Sequence, residues 1–290
     1  GRAVYFGIFH AVSMFNNAGF DLFGNFHSLT GYVNDPLVNI VVMILIITGG
    51  IGFIVMADVV EYKKTRRLSL HTKVVLFMTS VLILVGALVI FIFEYTNPRT
   101  LGSLHFGGKV LSAFFQSVTP RTAGANTVDI AGMRQASQFL IVILMFIGAS
   151  PGSTGGGIKT TTFTIMIGAV IAMLRGREDI VLFRYRLAQE RIFKALTITL
   201  LALLLVISVS MVLSTTEDRN FLMILFETTS AFATVGLSMG LTPELSLIGK
   251  ILISLTMFSG RLGILTLAYA IGPKQGKPLY KYPEGKMIIG

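Results

Sequence analysis

The chain has 290 residues, of which 53% are hydrophobic and only 13% charged. Ordinary soluble domains carry about 25% charged residues, so a water-soluble enzyme or binding module is excluded at the outset. The 24 Lys+Arg against 14 Asp+Glu leave +10, a surplus that means nucleic acid in a soluble chain but whose meaning here depends on where it sits. Cysteine is absent, which removes disulfides, thiolate catalysis and Cys-ligated metals. The chain opens Gly-Arg without an initiator Met or a signal-peptide layout, so its natural N-terminus is expected upstream.

Crossing about 30 Å of hydrocarbon takes roughly 20 apolar helical residues. In chain order, Val4–Phe15 is too short to cross and Leu37–Val60 is long enough. Val74–Phe93 crosses, Phe106–Val118 is short, and Gln138–Leu174 is long but interrupted. Phe193–Leu213 crosses, Phe221–Phe232 is short, and Leu247–Ile271 crosses. The segment Glu61–Lys73 carries Lys63, Lys64, Arg66, Arg67 and Lys73 against one acid. Five arginines lie in Arg175–Arg191 and four lysines follow Pro273, whereas Asn16–Pro36 and Thr215–Asn220 are neutral or acidic. The positive-inside rule puts all three basic segments, and hence the C-terminus, in the cytoplasm. That alternation works only if the three short helices dip in and return. The expectation is five crossings and three re-entrant helices in a multi-pass protein surrounded by lipid. The basic charge is then topological, and no nucleic-acid partner is expected.

A repeat runs through this layout. Each short helix leads into small residues around a glycine: Asn17-Ala18-Gly19, Thr122-Ala123-Gly124 and Thr234-Val235-Gly236. A Phe stands at the same offset before each glycine (Phe9, Phe114, Phe226), and a longer helix with paired glycines follows: Gly49 and Gly52, Gly148 and Gly152, Gly260 and Gly263. One such loop means nothing by itself; three, each between a non-crossing and a crossing helix, define a unit. Residues 1–71 are read as the end of one unit, 72–191 and 192–272 as two complete ones, and 273–290 as a cytoplasmic tail.

A helix that stops inside the membrane leaves carbonyls, with partial negative charge, unsatisfied at its C-terminus. Irregular backbone at that depth must be buried in protein or line a water-filled cavity. Carbonyls aimed at a common axis can replace the hydration shell of a monovalent cation. Glycine permits φ > 0 and leaves room for a neighbouring loop. A serine there would add bulk and a hydroxyl, and would loosen preference for the larger ion.

Within Gln138–Leu174, the run Ser150-Pro151-Gly152-Ser153-Thr154-Gly155-Gly156-Gly157-Ile158-Lys159-Thr160-Thr161-Thr162 separates two half-length apolar pieces, Gln138–Ala149 and Phe163–Leu174. Each piece is about 18 Å long and the two together about 36 Å, which puts the polar loop near mid-depth. Pro151 cannot continue a helix, and three consecutive glycines disfavour one. Beneath the glycine loops it would act as a movable barrier. A phosphate-binding loop is the wrong match, because Ile158 separates Gly157 from Lys159. A plain external loop would leave two helices unable to cross. Arg261, inside the last span, would face the protein interior or water. At about 8 Å and an effective dielectric near 20 it would repel a passing cation by about 2 kcal/mol.

These motifs together (NNAGFD, TPRTAGANT, ATVGLS, GASPGSTGGGIKTT and FSGRLG) resemble the superfamily of bacterial potassium-uptake subunits TrkH and KtrB and the plant high-affinity potassium transporters. The resemblance spans essentially the whole chain and is strongest toward KtrB-type subunits of the Ktr system. It implies an all-α polytopic fold of helix–pore-helix–helix units around a central pore, with the first repeat and part of the second missing here. Gly19, Gly124 and Gly236 would be filter glycines of repeats two, three and four, binding K+ through carbonyls. Pro151, Gly152, Gly155, Gly156, Gly157 and Lys159, with Arg261 opposite, would form the gate. The resemblance also implies a homodimer, a KtrA-type cytoplasmic nucleotide-binding ring as regulator, and possible Na+ dependence.

The rest is less informative. His10, His27, His71 and His105 lack metal-ligand spacing. Asp21, Asp35, Glu217 and Glu244 are expected at the outer rim. An intramembrane enzyme would need a catalytic pair, and Lys159, Lys250 and Arg261 in the spans are read as having no acid facing them. An alternating-access carrier, coupled to sodium or protons, is the alternative within transport.

Overall fold

The computed structural model describes residues 1–263, apart from Asn25 and Glu178; the tail and the end of the last expected span lie outside them. Ten α-helices account for most of these residues: α1 (Arg2–Phe15), α2 (Pro36–Ile51), α3 (Phe53–Thr65), α4 (Leu70–Glu94), α5 (Phe106–Val118), α6 (Gln135–Ile147), α7 (Thr160–Leu174), α8 (Gln189–Thr216), α9 (Phe221–Phe232) and α10 (Leu247–Leu262). A two-residue hairpin, β1 (Val181–Leu182) with β2 (Tyr185–Arg186), folds the arginine-rich segment back on itself.

Side chains that satisfy free N–H groups start several of these helices. Asp35 Oδ1 accepts from Leu37 and Val38 N–H at 2.9 and 3.2 Å ahead of Pro36. Ser69, Asn220 and Ser246 cap α4, α9 and α10 in the same way. Among the described residues, α4 and α8 alone are long and apolar enough to cross a membrane as single helices.

The expected span Leu37–Val60 is not straight. It breaks at Gly52 (φ 95°), and α2 and α3 diverge by 99°. The reason is tertiary. A Cβ at Gly52 would meet the Pro151 carbonyl at 2.5 Å, and Phe53 N–H donates to the Gly152 carbonyl at 3.0 Å. The α6–α7 linker therefore occupies the space a continuous helix would need.

Helix α4 packs on α5, α9 packs on α6, α8 and α10, and α1 packs on α2. One core cluster contains Ile90, Leu101, Ile141, Met145 and Phe226, and a second contains Met14, Ile46 and Phe115. Leu84, Leu88 and Ile92 of α4, and Leu200, Leu204 and Ile207 of α8, remain exposed. Apolar faces this extensive are covered by lipid or by protein in a working molecule. Helix approach is closest at Gly49 and Gly260, where an added methyl would overlap the carbonyls of Phe15 and Phe232 at the ends of α1 and α9.

Two acids clasp the helix ends. Glu94, fully buried at the end of α4, accepts from Asn97 Nδ2 and Thr100 Oγ1 (both 2.6 Å), Arg134 N–H (2.9 Å) and the Ser137 hydroxyl. It thus ties α4 to the start of α6. Glu217, just past α8, accepts from the Ser246 N–H (3.1 Å) and hydroxyl, tying α8 to the start of α10. Leaving a buried donor without its acceptor costs about 1–3 kcal/mol. Glu94→Ala is therefore expected to lower thermal stability in detergent by an amount of that order, with a wild-type melting temperature arguing against the clasp.

The Ser246 hydroxyl holds the Glu217 carboxyl below its ordinary range; burial opposes this, and the Ser246 N–H, Thr216 and Lys250 assist. A lowered folded-state pKa gives stability that is full above the unfolded pKa and is lost as pH falls through the folded one. Stability of the wild type should therefore fall more steeply than that of Glu217→Gln on acidifying below the ordinary carboxylate range. Parallel melting curves over that window would exclude this contribution.

Candidate functional site

The short helices α1, α5 and α9 each run into one of the three glycine loops, whose backbones follow one pattern. Asn17, Thr122 and Thr234 have φ of 52°, 72° and 51°, and Gly19, Gly124 and Gly236 have φ of 72°, 73° and 91°. The intervening N–H turns back onto its own helix end: Ala18 to the Ser13 carbonyl (2.9 Å), Ala123 to Thr119 (3.0 Å), Val235 to Ser230 (2.8 Å). With the N–H groups engaged there, the carbonyls are left to face elsewhere.

The loops lie side by side at backbone contact. An added Cβ at Gly19 would overlap the Ala123 carbonyl oxygen and lie 3.2 Å from Gly124 Cα. One at Gly124 would overlap the Val235 oxygen and lie 3.2 Å from Gly236 Cα. Glycine is required here twice over, by the positive φ and by this proximity. The structure brings all nine loop residues named from the sequence into one cluster, and Ala123 and Val235 are buried within it.

The 148–159 linker sits against that cluster. Thr154 Oγ1 donates to Asn17 Oδ1 at 2.8 Å. An added methyl on Gly155 would overlap Thr122 Oγ1, and one on Gly156 would lie 2.5 Å from both the Ala233 oxygen and Thr234 Oγ1. Three consecutive linker residues thus each face a different glycine loop. Gly157 (φ 74°) passes close to Gly148, and the Ser150 N–H donates to the Gly50 carbonyl at 3.0 Å. Lys159 Nζ donates to the Gly155 carbonyl at 2.6 Å, and the Arg261 guanidinium donates to the Thr154 carbonyl. Pro151 and Gly152 meet the α2–α3 bend. All seven linker-associated residues named from the sequence therefore occupy this one region.

Other expectations resolve into local roles. Asp35 is a helix cap, Asp21 accepts from Phe23 N–H at 2.8 Å, and Glu244 pairs with Arg219 at 2.7 Å. His10 bonds the Phe6 carbonyl at 2.7 Å and stacks on Phe23. No cluster of metal-ligating side chains occurs among the described residues.

Three buried charges escape sequence reasoning that looks for charge only in full-length spans. Glu94 ends a span, Glu227 lies in the short helix α9, and Arg121 lies in a loop, where it donates to Thr79 Oγ1 at 3.0 Å. A lone acid in the apolar run Phe221–Phe232 is the signal that could have marked Glu227.

A family model described as TrkH, cation transport protein, matches residues 2–275. The chain is 45% identical over 287 residues to Ktr system potassium uptake protein B of Bacillus subtilis, covering 99% of this chain and 64% of that protein. It is 42% identical to the protein of the same name from Vibrio alginolyticus (99% and 63% covered). It is 41% identical to the potassium/sodium uptake protein NtpJ of Enterococcus hirae (100% and 65% covered). The crystal structure of the potassium transporter TrkH from Vibrio parahaemolyticus superposes with a TM-score of 0.73 at 19% identity, over 93% of this chain and 58% of that one. The chain thus spans less than two thirds of the length of these relatives.

Proposed function

The chain belongs to the TrkH family of cation transport proteins, a family of multi-pass helical membrane proteins, and from that premise we propose that it takes part in potassium uptake across a bacterial plasma membrane. The observation that carries this reading is the cluster of three glycine loops at backbone contact. Each loop lies inside one unit of the proposed repeat (1–71, 72–191, 192–272), and the segment these longer relatives have beyond this chain would complete the ring.

In this reading the carbonyls around Ala18-Gly19, Ala123-Gly124 and Val235-Gly236 replace the water of a dehydrating K+. Their spacing is held by packed backbone, so a smaller Na+ is matched less well. The linker seated on Asn17, Thr122 and Thr234 is the gate, and Lys159 and Arg261 hold it by donating to its carbonyls. Both are cations, so they also repel an ion that has passed the loops.

The basic segments 61–73 and 175–191 and the tail face the cytoplasm by the positive-inside rule and offer the surface for a nucleotide-binding ring of the KtrA type. A homodimer would cover part of the exposed apolar surface. The potassium/sodium name of the Enterococcus relative favours sodium as a second ion, which leaves a sodium-coupled carrier as the alternative mechanism.

The test is flux through the full-length protein in liposomes. Uptake of K+ is expected to exceed that of Na+ severalfold at equal gradients, and equal uptake of the two would remove the reading. Turnover above alternating-access rates identifies a channel-like path.

A further inference from the structure

The three glycine loops differ in how their outgoing limbs are fastened. In the first, the Ser13 hydroxyl donates to the Phe20 carbonyl at 2.9 Å and His10 Nε2 accepts the Leu22 N–H at 3.3 Å. In the second, the Thr119 hydroxyl donates to the Ala125 carbonyl. In the third, the fastener is an acid. Glu227, on α9 and 5% exposed, accepts from Ser238 Oγ at 2.8 Å and from the Thr242 hydroxyl. Ser238 Oγ in turn accepts the Gly240 N–H at 3.0 Å.

Glu227 follows Phe226 in α9, as His10 follows Phe9 in α1 and Phe115 follows Phe114 in α5. All three side chains lie behind their loops and are buried. Among the described residues no Lys, Arg or His forms an ion pair with Glu227. A buried carboxylate is costly unless its oxygens are satisfied. Here both oxygens are spent on the limb that leaves Gly236, and charge-assisted bonds of this kind are roughly twice as strong as neutral ones. An acid placed where the second loop has a phenylalanine therefore makes this limb the one held by charge.

We infer that Glu227 is a positioning residue for ion discrimination, a strut from α9 to Ser238 and Thr242 that holds the carbonyls around Gly236 at their spacing. This rests on the potassium reading given above. Loss of the strut lets the third loop close around a smaller ion or open to a hydrated one. The cost therefore falls on the choice of ion and the apparent affinity for K+, with little effect on the maximal rate.

The experiment uses the full-length protein in liposomes, with K+ and Na+ uptake measured over a range of concentrations. Glu227→Ala is expected to lower the K+/Na+ preference at least about fivefold, the size of one charged hydrogen bond or less, through a raised KM for K+ and a maximal rate within about twofold of wild type. Ser238→Ala/Thr242→Ala removes the same struts from the other side. It should produce the same change and add nothing to Glu227→Ala, as expected for groups that act through each other. Should Glu227→Ala not assemble, the double variant carries the test alone. Unchanged preference in the double variant, additive losses, or a fall confined to the maximal rate would overturn the assignment. If the wild type itself fails to discriminate, the potassium reading has failed. If Gly124→Ser alters the preference while the strut variants do not, only this inference has failed.

Discussion

Gly124→Ser should lower the preference for K+ over Na+ by about tenfold or more, equivalent to about 1.4 kcal/mol of discrimination. Gly124 has φ of 73°, where a non-glycine residue is strained by roughly 1–2 kcal/mol. The added Cβ would also overlap the Val235 carbonyl oxygen, which belongs to backbone and cannot move aside as a side chain would. The third loop must shift, and with it the oxygens proposed to coordinate the ion. The effect should exceed that of the same change at Gly236, whose Cβ would meet Gly124 Cα at 3.7 Å, an ordinary contact. Competing K+ and Na+ uptake in liposomes checks both. Wild-type discrimination in Gly124→Ser would remove the assignment of these loops as the selecting element.

Deleting Gly155–Gly157 should raise basal flux by about tenfold or more if the linker is a barrier. Gly155 and Gly156 press on Thr122, Ala233 and Thr234, and Gly157 packs on Gly148, so removing all three withdraws the linker from the glycine loops. Arg261→Ala should act in the same direction and more mildly. It removes the guanidinium that donates to the Thr154 carbonyl, and with it one of the two cations that hold the linker. Lys159 would still hold the Gly155 carbonyl, so the single variant should leave some closure. Unaltered resting flux in the deletion, in protein that still discriminates between ions, would deny the linker its role.

Much of this was legible along the chain. Two of the short helices, Phe106–Val118 and Phe221–Phe232, have the boundaries that apolar run length predicts, and the third begins two residues early. The linker between α6 and α7 was legible from Pro151 and the glycine triplet, because these residues oppose helix by local backbone physics. The bend at Gly52 was not. Nothing local in Ile51-Gly52-Phe53 demands a 99° turn, and the Pro151 carbonyl across the fold makes it. The partners of Glu94 and Glu227 were equally hidden, since a single acid in an apolar run does not reveal which hydroxyls, 11 or 43 positions away, will satisfy it.

The order of long and short helices and the places where helices must stop follow from composition and local chemistry. Apolar length, charge asymmetry, proline and glycine act over a few residues and leave their mark in the sequence. Which carbonyl meets which glycine, which linker residue faces which loop and which acid braces which limb were decided only by packing. Some of those contacts join residues as distant as Asn17 and Thr154, 137 positions apart, and close approach of backbones has no periodicity along the chain to announce it.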